Sequence, residues 1–270
     1  MPGPRKGSRR LDRALREAQA RLARHYAALA GADPVDVLQA RVASRRIRSL
    51  LKTFSGHFQH DTAGQYRRDL GRAARQLGPL RELDVLANQP GMRSGPVAQA
   101  LSLARRAEVS RVQRRLRAGK RWRATVFEGP TAGQLGLEPG LSRGDVERAV
   151  RRQWLRVERL LASHPTDPGA LHVLRIGLKK FRYAFETVED TRDENVASLL
   201  ACLRSAQDQL GAEHDITCAC HWLERSDIAP AAVRASLRRL QRQSHVLAAR
   251  RPRVLRNLER AGRHWYGTTR

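Results

Sequence analysis

The sequence predicts an all-α fold made of two copies of one unit. Apolar residues recur every three to four positions along almost the whole chain of 270 residues, which is the spacing of one helix face. β-branched residues are scarce, and no stretch alternates polar and apolar residues over more than four positions, so we expect no strand. Two blocks of sequence also return in the same order. The chain is long enough to bury a sizeable core.

The longer repeated block defines two helices that each carry a row of cations. Asp33–Arg48 returns 134 positions later as Asp167–Arg182. Each copy opens with Asp-Pro, which is typical of a helix that has Asp as N-cap and Pro at its first position. At about 100° per residue, the cations lie on one stripe of each helix and the apolar residues on another. The stripes are Leu38, Arg41, Arg45, Arg48 and Lys52 in the first helix and His172, Arg175, Lys179 and Arg182 in the second.

A shorter block follows each of these helices. Leu77–Val85 returns as Leu210–Cys218, at an offset of 133. Two blocks repeated in the same order at nearly the same offset indicate the duplication of a unit of roughly 130 residues. Glu82 and Asp84 are two positions apart on a helix and do not converge on one metal ion. We therefore interpret one of these carboxylates as a group that orients Arg81.

Start and stop signals place the helices along the chain. Asp61 is expected to cap the third helix, and Ser142-x-x-Asp145 is typical of a capping box. Gly31 ends the first helix, and Pro252 is expected to kink or end the last one. We expect helices at residues 8–30, 34–55, 61–76, 80–87, 96–119, 142–163, 168–189, 193–210 and 216–223, and a last one from 230 that continues to about 262.

Composition divides the chain into a tail, two halves and a linker. The basic start, rich in Pro and Gly, predicts a disordered tail over residues 1–8. Residues 129–141 combine several Gly and Pro residues and predict a linker. The first helical half is then 9–128 and the second is 142–265. The residues expected to cap the first core are Trp122, Val126 and Phe127.

The repeated blocks resemble the CHAD family, named for a histidine-bearing α-helical domain. Its hallmark in each half is His-x-x-Arg-[Val/Ile]-x-x-[Arg/Lys]-[Arg/Lys]-x-Arg, followed by Leu-Gly-x-x-Arg-Asp-x-Asp or a weaker version of it. His172–Arg182 matches the hallmark, whereas the first half has Leu38 in place of the histidine and Glu82 in place of an aspartate. The resemblance spans about residues 10–260. It implies one domain of two four-helix-bundle-like halves, related by a pseudo-twofold axis, with a basic central groove that binds inorganic polyphosphate.

The charge balance separately indicates a polyanionic partner. The chain has 52 Lys and Arg against 26 Asp and Glu, a formal net charge of +26. A GC-rich genome raises the share of arginine, but acidic residues would normally balance that drift. Self-repulsion of this size destabilises a compact monomer. Arginine also offers a rigid fork that grips phosphate oxygens bidentately.

The cysteines and the length of the apolar stretches indicate in which cellular compartment the protein is expected. Cys202, Cys218 and Cys220 are too few and too unevenly placed for a disulfide framework, and their spacing is not that of a zinc site. We expect them to be small core residues in a reducing cytoplasm. No apolar stretch is long enough for a signal peptide or a membrane span. We therefore expect a cytoplasmic protein with no membrane partner, and nothing in the sequence specifies its oligomeric state.

The cationic stripes are the candidate binding site. A solvated helix face would mix charges of both signs at i, i+4 spacing, but Asp36 is the one acid of the first motif helix. His172 is either a hydrogen-bonded core histidine or a donor to phosphate. We expect a groove lined by the stripes to bind inorganic polyphosphate, on polyphosphate granules or in phosphate storage. The predicted binding residues are Arg41, Arg45, Arg46, Arg48, Lys52, His172, Arg175, Lys179, Lys180 and Arg182.

Motifs of enzymes are absent from the sequence. It has no phosphate loop, no His-Glu-x-x-His and no Gly-x-Ser-x-Gly. No segment supplies the carboxylates that would hold Mg²⁺ for phosphoanhydride hydrolysis. We therefore expect a non-enzymatic binding protein with no catalytic residue, metal or cofactor. One alternative is a nucleic-acid-binding protein that uses the same surface, weakened by an aromatic content of only 5%. A second is a regulatory subunit of a polyphosphate-metabolising enzyme.

Overall fold

The protein is all-helical, as the sequence predicts. The computed structural model describes residues 5–119, 126, 128–188 and 193–268, and over these residues it contains nine α-helices and no strand. Two short 3-10 helices, Ala28–Gly31 and Ser55–His57, follow the first and second α-helices. The α-helices are α1 Lys6–Ala27, α2 Pro34–Thr53, α3 His60–Gln76, α4 Gly78–Leu86, α5 Gly95–Ala118, α6 Arg143–Ala162, α7 Pro168–Val188, α8 Glu194–Glu224 and α9 Pro230–Thr268.

The helices form two compact units. Neither unit is a single stretch of chain, because α4, α5, α6 and α7 each contribute residues to both. Their limits therefore differ from the predicted halves, 9–128 and 142–265. The first unit comprises Met1–Arg81, Ala107–Gln153 and Tyr183–Glu189, and the second comprises Glu82–Arg106, Trp154–Arg182 and Asp190–Arg270.

The core of the first unit is built on α2, the first motif helix. This helix contacts both α1 and α3. Ile47 and Leu50 of α2 are fully buried, as the predicted apolar face requires. Leu11 and Leu22 of α1 and Leu70 of α3 are buried in the same unit. Burial of each such side chain contributes about 1.5–3 kcal/mol. This packing fixes the rotation of α2 about its axis, and so fixes the direction of its cationic stripe.

Residues 5–8 of the N-terminal segment and the predicted linker both have a defined structure. The tail prediction is wrong for residues 6–8, because α1 begins at Lys6 and Ser8 is buried. The Ser8 hydroxyl donates to the carbonyls of Glu138 and Pro139 at 2.9 and 2.8 Å. Residues 1–4 lie outside the described part of the chain. The segment 129–141 has no α-helix, as predicted, but it packs on the first unit rather than forming a free spacer.

Buried side chains in this segment explain its order. Leu135 and Leu141 are buried, and the Gln59 amide donates to the Leu135 carbonyl at 2.9 Å. A Cβ at Gly129 would lie 2.6 Å from the Tyr66 hydroxyl oxygen, so a larger residue cannot approach α3 in this way. Val126 is buried as predicted. Trp122 and Phe127, expected to cap the same core, lie outside the described residues.

Two apolar clusters stabilise the second unit. In one, Phe181 packs between Trp154 and Trp265, with ring centroids 5.3 and 5.9 Å away. Gly262 is required beside this cluster, because a Cβ there would lie 1.8 Å from an atom of Trp154. The other cluster joins α4, α5, α8 and α9. Its buried members are Leu86, Met92, Val97, Leu101, Ile216, Ala219, Leu223 and Leu240.

Several predicted helix limits are wrong, for identifiable reasons. α8 continues through Gly211, where the sequence predicts a break, because Ala212 keeps the N–H that Pro79 lacks at the same position of the repeat. α9 runs through Pro252 to Thr268. In the first unit, Asp61 lies inside the first turn of α3 rather than at its N-cap.

Packing on both sides of Pro252 accounts for the continuity of α9. Leu240 and Leu258 are fully buried, and together they offset the cost of about 3 kcal/mol that proline imposes inside a helix. No helix in the described part of the chain is both long and apolar enough to cross a membrane.

Candidate functional site

Both motif helices begin as their shared Asp-Pro sequence predicts. The Asp33 carboxylate accepts a hydrogen bond from the Val35 amide at 2.7 Å, and Asp167 accepts one from the Ala170 amide at 2.9 Å. α2 and α7 start at the proline that follows each aspartate. The caps fix the first residue of each helix, and with it the register of the cations that follow.

Most cations of the first stripe are partly buried. Arg41, Arg45 and Arg48 are partly buried, whereas Lys52, the last residue of the stripe, is exposed. The Arg41 guanidinium donates to the carbonyl of Ala74 on α3. The arginines lie beside the packed face of α2, so burial of that face also removes much of their surface from water. They do not form the solvated face that a run of charges usually forms.

Glycines bring the guanidinium groups close to the neighbouring backbone. A Cβ at Gly71 of α3 would lie 3.5 Å from three atoms of the Arg48 guanidinium. A Cβ at Gly78 of α4 would lie 3.7 Å from Nη1 of Arg41. The Nε atom of Arg48 is buried and has no hydrogen-bond partner among the described residues. The Arg48 guanidinium thus packs directly against the backbone of α3 at Gly71.

Mutual repulsion and burial act on the arginines of the first unit. Burial first, and three neighbouring arginines after it, lower the pKa of Arg41 well below its usual value, to about 10. Burial also lowers the pKa of Arg48, again with arginines as the neighbouring charges. Arg41 and Arg48 are still charged at neutral pH, so a bound anion would relieve the repulsion that they experience. The first cluster, as we define it, consists of Arg41, Arg45, Arg48, Arg67, Arg75 and Arg81.

In the first motif helix, Arg45 and Arg46 form a basic doublet, which corresponds to Lys179 and Lys180 in the second. Arg46 has a role different from that of Arg45. Arg46 is ion-paired with Glu186 of α7 at 3.0 Å, and both side chains are mostly buried. The pair joins the first motif helix to the end of the second within the first unit. Arg46 was predicted to bind the ligand; this geometry gives it a structural partner, and its binding role stays a prediction. Lys180, the corresponding residue of the second doublet, is partly buried.

The second stripe opens onto a pocket in the second unit. The pocket has a volume of about 180 Å³, and its walls come from α7, α8 and α9. His172 is exposed at its edge, so it is not a core histidine, and Arg175 is partly buried. Lys179 and Arg182 are partly buried further along α7. The second cluster, as we define it, consists of His172, Arg175, Lys179, His214 and Arg251.

His214 is the most perturbed group of the second cluster. Burial first, and then its cationic and histidine neighbours, lowers the pKa of His214 from 6.5 to about 4. The ring of His172 is close, with a centroid distance of 5.4 Å. His214 is therefore neutral at pH 7 in the protein alone, because burial first, and then the charges of Arg175 and Lys179, disfavour its protonated form.

An acid in the pocket wall holds Arg251 in place. Glu213 is ion-paired with Arg251 at 2.6 Å, with side-chain exposures of 15% and 18%. Gln209 donates to the other carboxylate oxygen of Glu213 at 2.7 Å and also to the carbonyl of Leu247 at 2.7 Å. This network fixes α9 against α8 at the pocket. Glu213 is already paired, so it offers little repulsion to an incoming anion.

The same repeat positions are neighbours in both units. Arg81 acts on Arg41 in the first unit, and His214 acts on Arg175 in the second. Arg81 and His214 stand at equivalent positions of the shorter block, as Arg41 and Arg175 do of the longer one. These two local arrangements support the proposed duplication, which stays a prediction.

Sequence reasoning missed five members of the clusters. Arg67 and Arg75 flank Gly71 on one face of α3, and that i, i+4, i+8 spacing is a usable signal. Arg81 and His214 could have been found from the shorter repeat. Arg251 gave no signal, because it is one of many arginines in α9.

One of the two acids of the shorter block has a partner other than Arg81. Asp84 is ion-paired with Arg105 of α5 at 2.7 Å, and its side chain is only 2% exposed. The interpretation that Glu82 or Asp84 orients Arg81 therefore finds no support at Asp84, and for Glu82 it stays a prediction. Asp84 instead ties α4 to α5 within the second unit.

The cysteines are partly buried and free, and burial raises the pKa of each thiol. They are therefore protonated thiols at neutral pH. Among the described residues, no group of three or more His, Cys, Asp or Glu side chains could hold a metal ion.

The comparisons with known proteins agree with this architecture. The family model of the CHAD domain matches residues 11–224. The crystal structure of the CHAD domain from the plant Ricinus communis has a TM-score of 0.77 at 20% identity, covering 97% of this chain and 93% of that one. PptA from Streptomyces chartreusis has a TM-score of 0.67 at 20% identity, covering 96% of this chain and 99% of that one. No curated protein matches significantly. Since the family model matches most of its length, the chain belongs to the CHAD domain family.

Proposed function

We propose that this protein binds inorganic polyphosphate through its two cationic clusters and catalyses no reaction on it. One observation carries the proposal: the arginines of the first cluster are held close together in partial burial, and burial first and their mutual repulsion second lower the pKa of Arg41 to about 10. Holding like charges in partial burial costs stability unless an anion joins them. Polyphosphate binding, which is characteristic of the CHAD family, agrees with this chemistry.

The residue types favour a linear chain of phosphates. Six arginines in the first cluster offer several bidentate donor forks within a small region. The second cluster adds Arg251 and Arg175 beside two histidines. A polymer that carries charge on every unit can satisfy many of these donors at once, whereas an isolated phosphate cannot. The central groove that the family resemblance implies stays a prediction.

Nucleic acid fits the clusters less well. Single-stranded nucleic acids gain affinity by stacking bases on exposed aromatic side chains. The large rings of the second unit, Trp154, Phe181 and Trp265, are instead buried in its core. Among the described residues, the first cluster has no aromatic ring, and the only aromatic rings of the second cluster are those of its two histidines.

A binding role without catalysis is supported by how the nearby acids are used. Phosphoryl transfer relies on carboxylates that hold Mg²⁺ or position the nucleophile. Glu186 and Glu213, the acids next to the predicted binding residues, are instead ion-paired with arginines. The CHAD domain is a binding domain. We accordingly propose a role in phosphate storage or polyphosphate granules in the cytoplasm.

A competition titration tests the proposal. The full chain would be titrated at one salt concentration with long-chain polyphosphate, duplex DNA and single-stranded RNA, each at the same concentration of phosphate groups. We expect polyphosphate to bind most tightly and to displace both nucleic acids. Tighter binding of duplex DNA at near-physiological salt would contradict the proposal. Release of inorganic phosphate from polyphosphate during the titration would contradict the non-enzymatic part of it.

A further inference from the structure

The outward face of α9 carries a row of cations that belongs to neither cluster. At about 100° per residue, its members fall within an arc of about 100°. At about 1.5 Å per residue, the row from Arg234 to Arg260 extends about 39 Å along the helix axis. Glu259 is the one acid in α9, and it is paired with Arg263 at 2.5 Å, outside the row. The α9 row consists of Arg234, Arg238, Arg242, His245, Arg253, Arg256 and Arg260.

The whole α9 row faces solvent. Each of its seven side chains is exposed, and none takes part in an ion pair within the described part of the chain. Like charges at i, i+4 spacing destabilise a helix by a few tenths of a kcal/mol per pair. The opposite side of α9 holds the helix in place, since Leu240, Leu258 and Trp265 are buried. The row therefore has a rigid base and no ion-pair partner among the residues that the structure describes.

We propose that the α9 row is a second binding tract for polyphosphate, used by chains too long to be held by the pocket of the second unit. This inference rests on the proposed function and specifies long-chain polyphosphate as the ligand of the row. Charge complementarity is the first argument. Neighbouring cations of the row are three to four residues apart, or roughly 4.5–6 Å, except that His245 and Arg253 are eight residues apart, or roughly 12 Å. A flexible chain with a charge on each unit can follow such a row.

Continuity with the pocket is the second argument. Ser244, Ala248 and Arg251 of α9 line the pocket that also contains His172 and Arg175. One helix thus supplies a wall of the pocket on one face and the α9 row on an adjacent face. A chain whose end lies in the pocket can pass onto the row without leaving α9, and the second contact is then intramolecular.

A linear polymer suits the α9 row better than a duplex does. The phosphates of a duplex wind around the axis of the duplex. The α9 row is straight and runs parallel to the axis of α9, so it can contact only a few of these phosphates. The row also lacks the aromatic side chains on which single-stranded bases stack. A flexible phosphate chain has neither restriction. Binding of duplex DNA by the row would therefore contradict the proposal.

Two polyphosphates of different length test the proposal. The row variant would combine Arg238→Gln, Arg242→Gln, Arg253→Gln and Arg256→Gln in the full chain. Tripolyphosphate, which is far shorter than the row, and long-chain polyphosphate would each be titrated by calorimetry. We expect about a tenfold loss of affinity for long-chain polyphosphate, equivalent to about 1.4 kcal/mol, and an unchanged affinity for tripolyphosphate. The dependence of long-chain binding on salt should also weaken, because fewer counterions are released.

A matched control separates the row from bulk charge. Its four substitutions remove the same charge from exposed arginines outside the row: Arg13→Gln, Arg21→Gln, Arg24→Gln and Arg114→Gln. An equal loss in the control, or no loss in the row variant, would overturn the proposal. So would a row variant that loses duplex DNA but keeps long-chain polyphosphate. If the unaltered protein bound neither polyphosphate, the proposed function itself would fail, which is a distinguishable result.

Discussion

The rings of His172 and His214 lie with centroids 5.4 Å apart at the edge of a pocket that also contains Arg175. Only His172 belongs to the hallmark of the CHAD family, whereas His214 takes the place that Arg81 has in the first copy of the repeat. The two units therefore put different titratable groups at one repeat position. This difference makes the second cluster sensitive to pH in a range where the first is fully charged.

Acid should destabilise the ligand-free protein through His214. Its pKa in the folded state is lowered from 6.5 to about 4, chiefly by burial. Between these values the unfolded chain binds a proton that the folded chain does not, so stability falls as pH falls through this window. We expect the melting temperature of the His214→Gln variant to depend less on pH than that of the unaltered protein between pH 6.5 and 4. Identical pH profiles would contradict this assignment.

Two substitutions of Gly71, which packs against Arg48, should affect polyphosphate binding and stability differently. A Cβ at Gly71 would make ordinary contact with the Arg48 guanidinium, at 3.5 Å. Gly71→Ala should therefore keep polyphosphate binding and raise stability by about 0.5–1 kcal/mol, because alanine favours the helix. Gly71→Leu would place further carbons where the guanidinium lies, and we expect it to weaken binding about tenfold, or about 1.4 kcal/mol. Unfolding and titration experiments on the two Gly71 variants would check both effects. Equal binding of polyphosphate by the two variants would contradict the importance of this packing for the position of Arg48.

The sequence predicts what depends on local periodicity and misses what depends on tertiary contacts. The Asp-Pro caps, the packed face of α2 and the cationic stripes follow from residue spacing, and each is found in the structure. The partner of Arg46 is different, because Glu186 is 140 positions away and no repeat relates the two. The continuity of α9 through Pro252 also depends on buried leucines on either side rather than on local propensity.

The buried ion pair between Asp84 and Arg105 should be structural. Asp84→Ala leaves the Arg105 guanidinium without this carboxylate, at a side chain that is only 30% exposed. Breaking a fully buried pair costs about 3–5 kcal/mol, and the partial exposure of Arg105 lowers our expectation to about 2–3 kcal/mol. Chemical denaturation would measure the loss. As a comparison, Asp69→Ala breaks the more exposed pair with Arg72 and should cost under about 1 kcal/mol. Similar losses in the two variants would contradict a special role for Asp84.

The decisive prediction concerns which cations bind polyphosphate. Arg45, Arg48, Lys179 and Arg182 are partly buried, so their contacts with phosphate are partly shielded from water. Charge-assisted hydrogen bonds of this kind contribute about 1.5–3 kcal/mol each, whereas an exposed charge contributes under about 1 kcal/mol. Replacing all four by Gln should lower the affinity for polyphosphate at least about a hundredfold, or about 2.7 kcal/mol.

The control for that variant removes the same charge from exposed positions. Replacing Arg13, Arg21, Arg24 and Arg114 by Gln, all exposed, should lower the affinity for polyphosphate far less, because these side chains add only long-range attraction. Titrations over a range of salt concentrations would show a shallower salt dependence for the first variant, since fewer counterions are exchanged on binding. Melting temperatures would identify any loss that comes from unfolding. Equal losses of affinity in two folded variants would mean that net charge, rather than a site, binds the polymer.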